Sequence, residues 1–202
     1  MIAIIDYHVG NLGSVTSACK RQGMDVVVTN DPEVIRQADG IILPGVGAFP
    51  AAMSNLEACH LVPVLNEVKD KGTPILGICI GMQLLFEEGS ENGHTKGLGF
   101  LKGSVDKMEV DAKLPHMGWN QLVIKQSHPL LKYVEEGDYV YFVHSYSAHC
   151  PEDEIGAYVN YGGKKITAFV YKDNVMGTQF HPEKSGEIGK KILRAFKELV
   201  SC

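Results

Sequence analysis

The chain has 202 residues, of which 45% are hydrophobic and 21% charged, and it carries a net charge of −5. That balance suits a globular domain with a full core. An acidic chain argues against a nucleic-acid or anionic-membrane surface, and no apolar run reaches the ~20 residues that span a bilayer.

The opening MIAIIDY is a buried-type strand, and Asn11 is placed to cap a helix running to Gly23. DVVVT (25–29) reads as a second strand. Asp31-Pro32 then opens a short helix with a capping residue followed by proline. GIILP (40–44) is a third strand, helical segments follow, and TPILGI (73–78) is a fourth. This alternation predicts a parallel sheet with helices on both faces. Further on, DYVYFVHSY (138–146), IGAYVNY (155–161), KKITAFVYK (164–172) and NVMGTQF (174–180) are strand-like. Gly162-Gly163 and Asp173-Asn174 are short turns that join three of them into an antiparallel meander. A final helix starts near Ser185, which is placed to cap it, with Ile188, Ile192, Leu193, Phe196, Leu199 and Val200 as the apolar stripe. No repeat or linker interrupts the chain. The expectation is one α/β domain over residues 1–202, with a mixed, mostly parallel sheet and an antiparallel C-terminal section.

The opening also lacks the basic start and small-residue cleavage site of a signal peptide. Five cysteines (Cys19, Cys59, Cys79, Cys150 and Cys202) are odd in number, widely spaced and free of any CxxC pair. They make neither a disulfide framework nor a zinc site, and they point to a reducing cytoplasm. His149-Cys150 has no further metal ligands at useful spacing.

Three stretches carry chemistry. In PILGICIGMQ (74–83), Cys79 follows the fourth strand, with Gly77 and Gly81 on either side. A strand turning sharply into a helix crowds its neighbours, and glycines relieve the crowding, as in a nucleophile elbow. The sulfur then sits at a helix N-terminus, where the thiolate is favoured, and the Ile80 N–H is free to point at a developing oxyanion. Read alone, Cys79 is nearly as well explained as a small buried hydrophobe. In TQFHPEKSG (178–186), His181 and Glu183 are two apart and face together in an extended segment, which would give an imidazole base its orienting acid. A capped strand end explains that pair equally well. In ILPGVGAF (42–49), Gly45 and Gly47 let the backbone approach a ligand at the carboxyl edge of the sheet. Val46 or Gly47 would supply a second oxyanion donor. Gln83, one turn after Cys79, faces the same side, as a contact for a polar substrate.

Together, PGVG, GICIGMQ and HPE, in that order, resemble the triad (class I) glutamine amidotransferase family, which has a flavodoxin-like α/β fold. The family's G-x-C-x-G-x-Q and H-P-E patterns are both complete here. The resemblance implies Cys79 as nucleophile, His181 as general base and acid, and Glu183 as the orienting carboxylate. It implies hydrolysis of glutamine through a glutamyl thioester, without metal or cofactor. It adds His144, Ser145 and Tyr146 as glutamine contacts, alongside Gly45, Gly47 and Gln83. PGVGAF, IAIIDYHVGNLGSV and PHMGWN (115–120) are similar to those family members that pass ammonia to a (β/α)₈-barrel cyclase making imidazole glycerol phosphate in histidine biosynthesis. That cyclase would be a separate polypeptide, and Trp119, Asn120, Tyr141 and Lys184 are the expected border of its interface. On sequence alone, Trp119 is better explained as a half-buried packing residue. Two other classes remain: a catalytically silent binding relative, which has no reason to keep all three triad residues, and a nucleotide-binding module, whose glycine-rich phosphate loop DYHVGNLGS lacks.

Overall fold

The computed structural model describes residues 1–201, so Cys202 lies outside the described residues. The elements run β1 (Ile2–Ile5), α1 (Leu12–Arg21), β2 (Val26–Thr29), α2 (Pro32–Gln37), β3 (Gly40–Leu43), α3 (Phe49–Ala58), α4 (Leu61–Asp70), β4 (Ile75–Ile78) and α5 (Ile80–Leu84). A strand-rich stretch follows: β5 (Phe86–Gly89), β6 (Thr95–Lys96), β7 (Leu101–Lys107), β8 (His116–Gln121), β9 (Val123–Ile124), β10 (Tyr139–His144) and β11 (Tyr146–His149). Finally come β12 (Ile155–Tyr161), β13 (Lys164–Lys172), β14 (Val175–Thr178) and α6 (Gly186–Val200).

The main sheet has the order β2-β1-β3-β4-β14-β13-β12-β9. It is parallel from β2 to β14 and antiparallel from β14 to β9. The fully apolar strands β1, β3 and β4 are buried along their whole length, while β2 lies on the edge with Val28 exposed. Alternation along each strand sorts the core into two layers. Ile2, Ile4, Ile42, Leu76 and Ile78 pack with α1 and α6, whose stripe buries Ile192, Leu193 and Phe196. Ala3, Ile5, Ile41, Leu43 and Ile75 pack on the other face, with α2, α3, α4 and α5.

Two smaller sheets lie beside this frame: β10 with β8, and β11-β7-β5-β6. The segment DYVYFVHSY is therefore not one strand. It breaks at Ser145, whose carbonyl accepts the Met108 N–H, and its two halves join different sheets. Two helix caps also differ from expectation. Asn11 and Ser185 stand at the starts of α1 and α6, but neither side chain caps its helix. Ser185 instead donates to the His181 carbonyl at 2.6 Å and accepts the Tyr141 N–H, while Asn11 reaches Glu183. Asp31 does cap α2, accepting the Glu33 N–H. Among the described residues, no helix is long and apolar enough to cross a membrane, and the cysteines are free of disulfides.

Candidate active site

Cys79 sits between β4 and α5 with φ +53° and ψ −108°, a strained conformation for a residue with a side chain. The turn closes only because its neighbours are glycines. A Cβ on Gly81 would stand 1.8 Å from the Leu43 carbonyl oxygen, and one on Gly77 would stand 2.6 Å from the Gly81 oxygen. Helix α5 is only five residues long, so its dipole helps the sulfur less than a long helix would.

β14 runs parallel to β4 and brings His181 to the same edge. His181 and Glu183 do not lie on an extended segment. Residues 182–184 form a 3₁₀ turn, and this turn directs Glu183 Oε1 to His181 Nδ1 at 2.6 Å, with both side chains fully buried. Asn11 Nδ2 donates to the same carboxylate oxygen at 2.5 Å. The carboxylate accepts, so Nδ1 carries a proton and Nε2 is turned the other way, buried without a hydrogen-bond partner. Burial opposes charge on His181, but the Cys79 sulfur and the Glu183 carboxylate outweigh it and raise its pKa to about 9. Burial, reinforced by Glu183, pushes the Cys19 thiol up to about 12, and burial does the same to Cys150. Neither thiol competes as a nucleophile near neutrality.

A pocket of about 420 Å³ opens over Cys79. Val46, Gly47, Ile80 and Gln83 line it on the parallel-sheet side, with Val143, His144, Ser145 and Tyr146 opposite. Gly45 is not on this wall. A Cβ there would meet the Tyr7 hydroxyl at 2.7 Å and Ile80 Cγ2 at 2.9 Å, so this glycine serves close packing. Tyr7, fully buried, donates to the Pro44 carbonyl at 2.5 Å and pins the loop. Glu91 also lines the pocket, and its Oε2 accepts the Phe49 N–H. A larger cleft of about 710 Å³ lies between the β7–β11 and β12–β13 regions and contains no part of the Cys79–His181 constellation.

His144 is no alternative base. Burial drives its pKa down to about 3, outweighing the bond to the Tyr146 carbonyl that raises it, with smaller help from the neighbouring His116 and His181. Its two ring nitrogens are occupied, Nδ1 by Tyr146 O at 2.8 Å and Nε2 by His116 Nδ1 at 3.0 Å. On the outer face of β8–β10, Trp119 is 55% exposed and meets Tyr141 edge-on at 6.0 Å, with Met117 and Tyr139 also exposed. Lys184 is exposed on the adjoining turn. Asn120 points inward instead, donating to the Asn160 carbonyl and lying 3.2 Å from His116 Nε2. The roles of Asn11, Tyr7 and Glu91 were not visible in the sequence, because each depends on a partner far along the chain.

The family model described as "Glutamine amidotransferase class-I" matches residues 3–199, and the chain belongs to that family. It is 55% identical over 197 residues to the "Imidazole glycerol phosphate synthase subunit HisH" of Lactococcus lactis subsp. lactis (strain IL1403), covering 98% of both chains. It is 54% identical over 202 residues to the protein of the same name in Bacillus cereus (strain G9842), covering all of this chain and 96% of that one. A solved structure titled "Crystal structure of glutamine amidotransferase" superposes with a TM-score of 0.78 over the full length of both chains, at 18% identity, a likeness of fold.

Proposed function

We propose that this chain, as one amidotransferase domain over residues 1–202, hydrolyses glutamine and hands the ammonia to a (β/α)₈-barrel cyclase subunit. The two form imidazole glycerol phosphate synthase in the cytoplasm, making imidazole glycerol phosphate and aminoimidazole carboxamide ribotide for histidine biosynthesis. The observation that carries the chemistry is the strained Cys79 elbow beside a buried His181–Glu183 pair. The names of the relatives, matched over nearly their full length, support the acceptor.

In this reading Cys79 is the nucleophile. With its pKa near 9, His181 is an imidazolium at neutral pH, held by Glu183 on one side and facing the sulfur on the other. The thiolate attacks the side-chain carbonyl carbon of glutamine and a C–S bond forms. The Ile80 N–H and that of Val46 or Gly47 hold the oxyanion, an interaction worth on the order of 10²–10³ in rate per donor. His181 gives its proton to the nitrogen as the C–N bond breaks and ammonia leaves. Water then attacks the thioester while His181 takes a proton, and glutamate departs. One hard amide hydrolysis thus becomes two easier acyl transfers. Gln83, His144, Ser145 and Tyr146 orient the glutamine, and Glu91 offers a carboxylate to its ammonium group. No cofactor enters these steps. Trp119, Tyr141 and Lys184 face the cyclase, and Asn120 supports them from beneath.

The test is glutamate release from glutamine by the purified chain, alone and with the barrel cyclase and its ribotide ligand, with Cys79→Ala as control. Release that rises strongly with cyclase and ligand, and vanishes in Cys79→Ala, is expected. Equal release with and without the cyclase would move the acceptor elsewhere, and release by Cys79→Ala would overturn the nucleophile.

A further inference from the structure

Gln179 is fully buried, directly after β14 and two residues before His181. Its Nε2 lies 3.7 Å from Cys79 Sγ, within reach of a sulfur acceptor. Which end of the amide faces the sulfur is fixed by a backbone carbonyl two bonds away. The Tyr146 carbonyl can only accept, so Gln83 must present Nε2 to it, at 3.3 Å. The same Nε2 lies 3.0 Å from Gln179, which must therefore turn its Oε1 toward Gln83. The Gln179 NH₂ is thereby turned to the sulfur. The Tyr146 carbonyl is itself set from the other side. Asn120 donates to the Asn160 carbonyl, so its NH₂ also faces His116 Nε2; His116 Nδ1–H donates to His144 Nε2, and His144 Nδ1–H to Tyr146 O. Both histidines are kept neutral by burial, so the sense of every bond holds at neutral pH.

We infer that Gln179 is a further catalytic residue of the glutaminase: its side-chain N–H donates to Cys79 Sγ, stabilising the thiolate and aiming it into the pocket. This rests on Cys79 being the nucleophile. A donor to an ionised sulfur is worth more than one to a neutral thiol, so the bond strengthens as the nucleophile forms. No proton is transferred by Gln179, and the thiol proton goes to His181. The other ionisable groups facing the sulfur are His181, with Glu183 behind it, and the Tyr7 hydroxyl, whose raised pKa owes first to burial and then to Cys79.

The test is the rate of Cys79 alkylation by iodoacetamide, resolved by mass spectrometry across a pH series, in wild type, Gln179→Glu and Gln179→Asn. The first variant keeps the shape and loses the donor. The second keeps an uncharged amide but withdraws it by one methylene. Both are expected to move the alkylation profile to higher pH, with a rate at pH 7 about tenfold lower. A profile that superposes on wild type in either variant overturns the inference, since a shift in Gln179→Glu alone would report added charge only. If a variant does not fold, the wild type answers. The isotope-labelled Gln179 side-chain amide signal is expected to follow Cys79 ionisation, and a signal constant across the series overturns the inference. Cys79→Ala retaining full glutaminase activity would instead bring down the nucleophile, and the inference with it.

Discussion

The two walls of the pocket are built on opposite principles. The parallel-sheet wall, with Cys79 and the Pro44–Gly47 loop, is held by contact: glycines at 77 and 81 admit backbone where no side chain fits. The opposite wall, Val143–Tyr146 at the end of β10 and the start of β11, is backed by directed hydrogen bonds from half-buried Asn120 to the buried, neutral His116 and His144, beneath the exposed aromatic face of β8–β10. Contact packing gives one geometry and fails abruptly when overfilled. A hydrogen-bonded wall retains its sense while its strands move, so the side proposed to receive the cyclase is the one suited to transmit its arrival.

Gly81→Ala probes the first wall most severely. The new Cβ would overlap backbone, which has no side-chain end to swing away, so a loss of about 3 kcal/mol or more in denaturant unfolding is expected. A loss under about 1 kcal/mol would mean that the elbow has slack. A pH series probes the junction of the walls. His181 has its pKa raised from 6.5 to about 9, so the stability from holding the imidazolium is fully present below 6.5 and is lost as pH rises through about 9. Glutaminase activity is expected to decline over the same upper range as the proton donor is lost. Glu183→Gln, which removes one of the influences raising that pKa, should shift the decline to lower pH. A decline unmoved by the substitution would dissociate Glu183 from His181. The smallest effect on the chain itself is expected for Trp119→Ala on the second wall. Unfolding free energy should stay within about 0.5 kcal/mol, while cyclase affinity, by titration calorimetry, weakens by about 2 kcal/mol. The reverse pattern would make Trp119 a packing residue.

The fold was legible where burial on both faces writes itself as an apolar run: β1, β3, β4 and the β12–β14 meander stand close to where the sequence places them. The stretch from β5 to β9 was not. TK (95–96) is only two residues long, HMGWNQ buries only one of its six residues, and β7 and β9 find their partners β11 and β12 further along the chain. DYVYFVHSY shows strand propensity along its length, but propensity does not reveal that Ser145 divides it between two sheets. Asn11 and Ser185 show the same limit from another side. Each is a proper cap residue at a real helix start, and each is diverted, one to Glu183 and the other to the backbone of His181 and Tyr141. Cys79 and the His181–Glu183 pair were legible as candidates because each lies in a short motif of its own, GICIGMQ and HPE, although the two motifs are far apart in the chain. Asn11 and Gln179, which contact Glu183 and Cys79, are separated from those residues by 172 and 100 positions.

The chain has a single tryptophan, and it is Trp119, more than half exposed on the face where the cyclase is proposed to dock. Its indole emission therefore comes from one place only. Water-exposed indole emits to the red, and covering it shifts the spectrum to the blue. Assembly can thus be followed optically in unlabelled protein, with the signal arising beside the turn that carries His181 and Glu183.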